Sequence, residues 1–175
     1  NKMTELNEKA KNFVNLQINQ EEKKDGKRLR IANIMQYEEF LNEEKIKSVL
    51  SSYKTIEKFA YIKHNKDVDP ETKEQKKTHW HIVIQFKTPQ FLKFVAKWFG
   101  IAENYVDIPK GRNAFIQCVK YLTHEGEKQQ KQGKFHYQDS EVISNFNFRE
   151  ELEKYEEKKF NSGLKGPGKK ESVRK

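Results

Sequence analysis

The stretch Thr78-His79-Trp80-His81-Ile82-Val83-Ile84-Gln85-Phe86 decides how this chain is read. Side chains two apart on a strand share a face, so the stretch divides into two sets. Trp80, Ile82, Ile84 and Phe86 are continuously apolar and must face a core. His79, His81, Val83 and Gln85 mix imidazole with polar groups, which suits a site at the sheet surface. Two neutral histidines buried side by side without partners would be costly, and one divalent cation satisfies both.

Upstream, Ile56 to Lys63 is rich in β-branched and aromatic residues and reads as a strand. Asn65 to Lys77 is hydrophilic and contains Asp69-Pro70, so it is a loop, and the two strands around it should pair antiparallel. His64 and Asp67 sit where the first strand of this hairpin runs into its loop, so the hairpin can bring either back to the histidine pair. Imidazole and carboxylate without thiolate accommodate Mn²⁺, Mg²⁺ or Zn²⁺. For phosphate chemistry Mn²⁺ or Mg²⁺ is the better choice, because both also accept phosphate oxygen. The competing reading is a set of exposed polar residues on a charged domain.

Around the hairpin the pattern predicts a strand over Leu29 to Tyr37 and a helix over Asn42 to Tyr53. A second helix is expected with Thr88 as cap, Pro89 in its first turn and Gly100 just past its end. Asn104 to Ile108 reads as a short strand, Asn113 to His124 as a helix, Phe135 to Tyr137 as a further short strand and Phe148 to Phe160 as a charged helix. The order β-α-β-β-α-β-α predicts an α+β, ferredoxin-like fold: an antiparallel sheet of about five strands with helices packed on its faces. The expected division is a polar segment over 1–28, one domain over 29–160 and a flexible basic tail over 161–175.

The 175 residues fit one domain with a tail, and 34% hydrophobic against 35% charged residues leaves a modest core. Twelve Phe, seven Tyr and two Trp still supply the apolar area for it. A net charge of +9 favours polyanions, most simply nucleic acid. The single Cys118 excludes an internal disulfide and a thiolate zinc cluster, and it suits a reducing, cytoplasmic setting. No apolar run is long enough to span a bilayer, so no membrane partner is expected. Among the basic clusters, Lys76, Lys77, Lys110 and Arg112 flank the histidine strand and are best placed to hold phosphates.

Tyr121 lies at the edge of the apolar stripe of its helix, one turn from Cys118. Position alone describes a boundary tyrosine with packed ring and wet hydroxyl. A phenol with pKa near 10 attacks a phosphodiester only if its proton is removed and the phosphorus made more electrophilic. Glu125, Lys120 and His124 are the neighbouring groups that could take that proton. Tyr137, in Lys134-Phe135-His136-Tyr137, is a weaker candidate and serves the fold or DNA contact.

The set His64-x-x-Asp67, His79-Trp80-His81 and Lys120-Tyr121-Leu122-Thr123-His124 resembles the HUH endonucleases, specifically the replication initiators of small rolling-circle plasmids of Gram-positive bacteria. The similarity runs from about Arg30 to Tyr137. It implies the HUH fold, with His79 and His81 binding Mn²⁺ or Mg²⁺ and His64 and Asp67 completing the shell. Tyr121 would be the nucleophile, cutting one strand at the plasmid origin and keeping the 5′ phosphate. The implied partners are double-stranded and single-stranded hairpin origin DNA, a host helicase and replication machinery, and a second copy of the chain in a homo-oligomer. Other classes remain: a non-catalytic nucleic-acid-binding module, a metal-dependent hydrolase using water, or a conjugative relaxase or viral initiator.

Overall fold

The computed structural model describes residues 2–12 and 26–164. Residues 2–12 form an exposed helix, α1. There follow β1 (Arg28–Tyr37), α2 (Glu43–Ser52), β2 (Ile56–His64), β3 (His79–Phe91), α3 (Leu92–Phe99), β4 (Val106–Asp107), α4 (Ala114–Tyr121), α5 (Glu127–Lys131), β5 (Ile143–Ser144) and α6 (Phe148–Leu164). The five strands make one antiparallel sheet in the order β4-β1-β3-β2-β5. This is the expected α+β class, and its first four strands have the split β-α-β arrangement.

β3 is the central strand, so its side-chain alternation sets both faces of the sheet. Trp80, Ile82, Ile84 and Phe86 pack with Ala32, Ile34 and Tyr61 under α2 and α3, where Ile46, Val49, Val95 and Phe99 close the layer. On the opposite face Ala60, Ile62 and Val83 meet Phe115, Val119 and Leu122 from α4 and the turn after it, with Phe148 and Leu152 from α6. Removing this apolar surface from water holds the layers together. The second face is apolar only as far as α4 covers it. Beyond Leu122 it continues into the histidines.

Local signals explain several boundaries. Asn42 caps α2, its Oδ1 accepting from the Lys45 N–H at 2.8 Å. Gly100 ends α3 with φ of 66°, the left-handed conformation that glycine adopts most readily. The expected start of that helix at Thr88 and Pro89 is not found. β3 continues to Phe91, and Thr88-Pro89 occupies an irregularity where the pairing with β1 jumps from Leu29↔Gln90 to Ile31↔Gln85. A proline without an N–H fits such a bulge as well as it fits a first helical turn.

Phe135 to Tyr137 is not a strand either. The Tyr137 N–H donates to the Thr123 carbonyl at 2.9 Å, and the Phe135 carbonyl accepts from the His124 ring. The segment thus serves the turn after α4, and the fifth strand is Ile143–Ser144, paired to Ala60 and Tyr61. The helix expected to reach His124 ends at Tyr121. α6 continues to Leu164, into the span read as tail. Of the segment read as 1–28 and the tail read as 161–175, residues 1, 13–25 and 165–175 lie outside the described residues.

Candidate active site

Strand register brings the imidazoles together. His64 ends β2 directly opposite His79, the first residue of β3, while Ile62 is opposite His81. Residues paired across antiparallel strands share a face, so all three histidines point the same way. Ring centroids are 5.3 Å apart for His64–His79, 4.5 Å for His64–His81 and 5.1 Å for His79–His81. One ring nitrogen from each lies within 4.8 Å of the others. His64 is fully buried, His79 nearly so and His81 half-buried.

Backbone carbonyls fix the tautomers. The His64 Nε2–H donates to the Leu122 carbonyl at 2.7 Å, which leaves Nδ1 as a lone pair. Among the described residues that buried Nδ1 has no hydrogen-bond partner, and it lies 3.5 Å from Asp67 Oδ2. The His79 Nδ1–H donates to the Lys77 carbonyl at 2.8 Å, so Nε2 faces Asp67 Oδ2 at 3.4 Å. Metal-ligating histidines carry this kind of second hydrogen bond, which orients the ring and aims the free lone pair. An unpartnered buried acceptor is destabilising, and a cation would satisfy it. The donor set therefore fits the divalent ion expected from the sequence.

Electrostatics point the same way. Burial, reinforced by the neighbouring imidazoles of His124 and His79, pushes His64 down to about 4. Burial likewise holds His81 well below its usual range, and burial opposed by the Phe135 carbonyl and Asp67 lowers His124. Neutral imidazoles are the form that binds metal. Burial alone would raise the Asp67 carboxyl, but the close His79 imidazole and the hydrogen bond from Tyr137, with His64 and His124 nearby, hold it below the usual carboxylate range.

Two residues of the site were assigned no part in it by the ligand pattern. His124 stands with φ of 59°, left-handed and uncommon for a residue with a side chain. The conformation ends the α4 turn and swings its ring to 4.4 Å from that of His64, with Nδ1 3.9 Å from Asp67 Oδ1. His64, Asp67 and His124 form a second, overlapping group that could hold an ion. Tyr137 is buried, its hydroxyl donating to Asp67 Oδ1 at 2.7 Å and accepting from the Lys66 N–H at 2.9 Å. Burial and then the Asp67 contact raise its phenol, so Tyr137 anchors the carboxylate and is a poor nucleophile.

Tyr121, at the end of α4, is half-buried. Its ring meets those of His81 at 5.8 Å and His124 at 5.1 Å, both edge-on. Its hydroxyl accepts from Lys134 Nζ at 2.8 Å. Two of the expected proton acceptors are engaged elsewhere. Glu125 accepts from Thr123 and from Arg149, and Lys120 donates to Glu156 at 2.6 Å.

Tyr121 borders two cavities. The larger, about 1050 Å³, is lined by His79, His81 and Asp67 together with Lys66, Lys73, Lys76, Lys77 and Lys134. The smaller, about 270 Å³, is lined by Asn33, Lys110, Gln117 and Cys118 among others. Lys76 and Lys77 thus share a cavity with the histidines, whereas Lys110 lies on the far side of Tyr121 and Arg112 lines neither. Among the described residues no helix is long and apolar enough to cross a membrane.

Residues 22–149 match the family described as plasmid replication protein, origin binding domain. A replication protein of Onion yellows phytoplasma (strain OY-M) is 31% identical over 137 residues, which are 72% of this chain and 35% of that protein. The chain therefore matches about a third of the length of that curated relative. With the match covering the whole sheet and every residue of the histidine cluster, this chain belongs to the family of plasmid replication protein origin-binding domains.

Proposed function

We propose that this domain binds plasmid origin DNA and initiates rolling-circle replication by cutting one strand, with Tyr121 as nucleophile in the manner of HUH endonucleases. The observation that carries the reading is the buried Nδ1 of His64, unpartnered among the described residues, in a cluster of imidazoles whose His81 ring meets the half-buried Tyr121 phenol. His79, His81, His64 and Asp67 would hold Mn²⁺ or Mg²⁺. Such an ion supplies Lewis-acid polarisation of the scissile phosphate.

The chain's own residues do the rest. Tyr121 Oη attacks phosphorus, the bond to the 3′ oxygen breaks, and the 5′ phosphate stays on the tyrosine. The freed 3′ hydroxyl primes synthesis by the host machinery, with strand separation left to supercoiling or a host helicase. Lys76 and Lys77 on the large cavity, with Lys110 across Tyr121, would hold the backbone on either side of the cut, and Arg112, two residues on from Lys110, would add charge beside it. Binding should then weaken steeply with salt.

The test is incubation with Mn²⁺ and a labelled pool of random single-stranded DNA hairpins, followed by denaturing gel and peptide mapping. A protein-linked 5′ end on Tyr121, absent in Tyr121→Phe with DNA binding retained, is the expected result. Cleavage without an adduct would replace the reading with a water-using hydrolase. Binding without cleavage would leave a non-catalytic module.

A further inference from the structure

We propose that Lys134 is the catalytic partner of Tyr121, holding its phenol oxygen and neutralising the charge it carries when the strand is cut and again when it is rejoined. The inference rests on the strand-transfer reading of Tyr121 given above. Nothing in the motif pattern marks Lys134, which lies thirteen residues beyond the tyrosine in an irregular segment. Its Nζ nevertheless donates to Tyr121 Oη at 2.8 Å and lies 5.0 Å from the centre of the ring.

The segment that delivers Lys134 is built for that position. After α5 the chain reverses through Gly133, whose φ of 74° suits glycine. The Lys134 N–H then donates to the Gln129 carbonyl at 3.1 Å. The next residue, Phe135, offers the carbonyl that receives the His124 Nδ1–H at 3.0 Å. One short stretch therefore aims the His124 ring and carries the ammonium to the phenol. Lys134 also lines the large cavity beside His81 and Asp67, so the contact lies where a strand would enter.

Two of the three other groups expected to act on that oxygen are occupied, and His124 turns its Nδ1–H to the Phe135 carbonyl. Lys120 is paired with Glu156, and Glu125 with Arg149. Across the reaction the Tyr121 Oη–P bond forms as the P–O3′ bond breaks. The proton lost by the phenol is matched by the one gained at the 3′ hydroxyl, so no co-reactant is needed. In between, the phenol oxygen is the nucleophile, and in joining it is the leaving group. An ammonium fixed on that atom favours its negative charge in both directions without having to reorganise.

The experiment compares the wild-type chain, Lys134→Met and Lys134→Arg, each with Mn²⁺ and the single-stranded oligonucleotide that the wild-type chain captures from a random pool. Single-turnover adduct formation, joining, oligonucleotide affinity, Mn²⁺ affinity and near-ultraviolet circular dichroism are measured. Lys134→Met should slow cutting and joining alike, by about 100-fold, while both affinities and the spectrum stay within threefold. Lys134→Arg should recover at least a tenth of the wild-type rate. Wild-type adduct with Lys134→Met within threefold of it overturns the role of Lys134 alone. A loss that arginine does not recover, accompanied by lost Mn²⁺ affinity, assigns Lys134 to the fold and also overturns it. No adduct on Tyr121 in the wild-type chain removes the strand-transfer reading itself, and the role of Lys134 with it.

Discussion

The two faces of the sheet use the same strands for different ends. Under α2 and α3 the layer is closed, and its few polar atoms are paired: Trp80 Nε1–H donates to the Leu41 carbonyl at 2.7 Å, and the Tyr61 hydroxyl to Glu43 at 2.9 Å. Across the sheet, α4 stops at Tyr121 and hydrocarbon gives way to His64, His79 and His81, with one buried nitrogen unpartnered. A one-residue alternation along β3 separates these environments. The closed face supplies rigidity, and the open face spends some of that stability on neutral imidazoles and a left-handed His124.

If the faces are separable in this way, mutations should sort by face. His79→Ala and His81→Ala should each lower Mn²⁺ affinity by at least about 100-fold, with cleavage lost in parallel, and leave the metal-free melting temperature nearly unchanged. Calorimetric titration with Mn²⁺ checks this. Ile84→Ala on the closed face should do the reverse: a loss of about 2–5 kcal/mol in denaturant unfolding, with adduct formation at 15 °C unchanged. A metal defect in Ile84→Ala would show that the faces are coupled.

pH gives a third separation. His64 is held near 4 in the fold, by burial first, against about 6.5 when unfolded. The unfolded chain therefore binds the extra proton, and the His64 contribution to the stability of the metal-free protein should fall as pH drops from about 6.5 toward 4, by roughly 3 kcal/mol, beside the losses from the lowered His81 and His124. Urea unfolding in the presence of a chelator measures it. His64→Asn should make the profile shallower in that window, with His81 and His124 supplying the remaining slope. The smallest effect belongs to Tyr137→Phe. It leaves the Lys66 N–H and Asp67 each short of a partner and should cost about 1–3 kcal/mol together with a modest loss of Mn²⁺ affinity.

The hairpin was legible because periodicity, turn residues and the H-x-H pair all agree on it, and the α+β order followed from it. His64, Asp67 and Tyr121 could be placed near the pair from the hairpin and from the family resemblance. Their convergence depends on strand register, which no local pattern states. Thr88-Pro89 misled because a proline satisfies a bulge and a helix start equally well. Phe135 to Tyr137 misled because aromatic content suggests a strand, whereas its backbone groups are taken by Thr123 and His124. The place of His124 beside His64 and Asp67, and the reach of Lys134, escaped for the same physical reason: each comes to the site through a left-handed turn, at His124 itself and at Gly133, and a turn leaves no periodic signal. A histidine in a left-handed position is the trace such a site leaves, and it becomes visible only with the backbone.

The central claim is that one cation sits on the open face, between the β2–β3 imidazoles and Tyr121. Paramagnetic broadening by substoichiometric Mn²⁺ tests it directly, because the effect falls with the sixth power of distance. The ring signals of His64, His79, His81 and Tyr121 should vanish first, while the indole of Trp98, stacked on Tyr53 across the sheet, persists to higher Mn²⁺. Broadening that begins at the exposed carboxylates of α6 and leaves Tyr121 and the three histidines sharp would contradict the account.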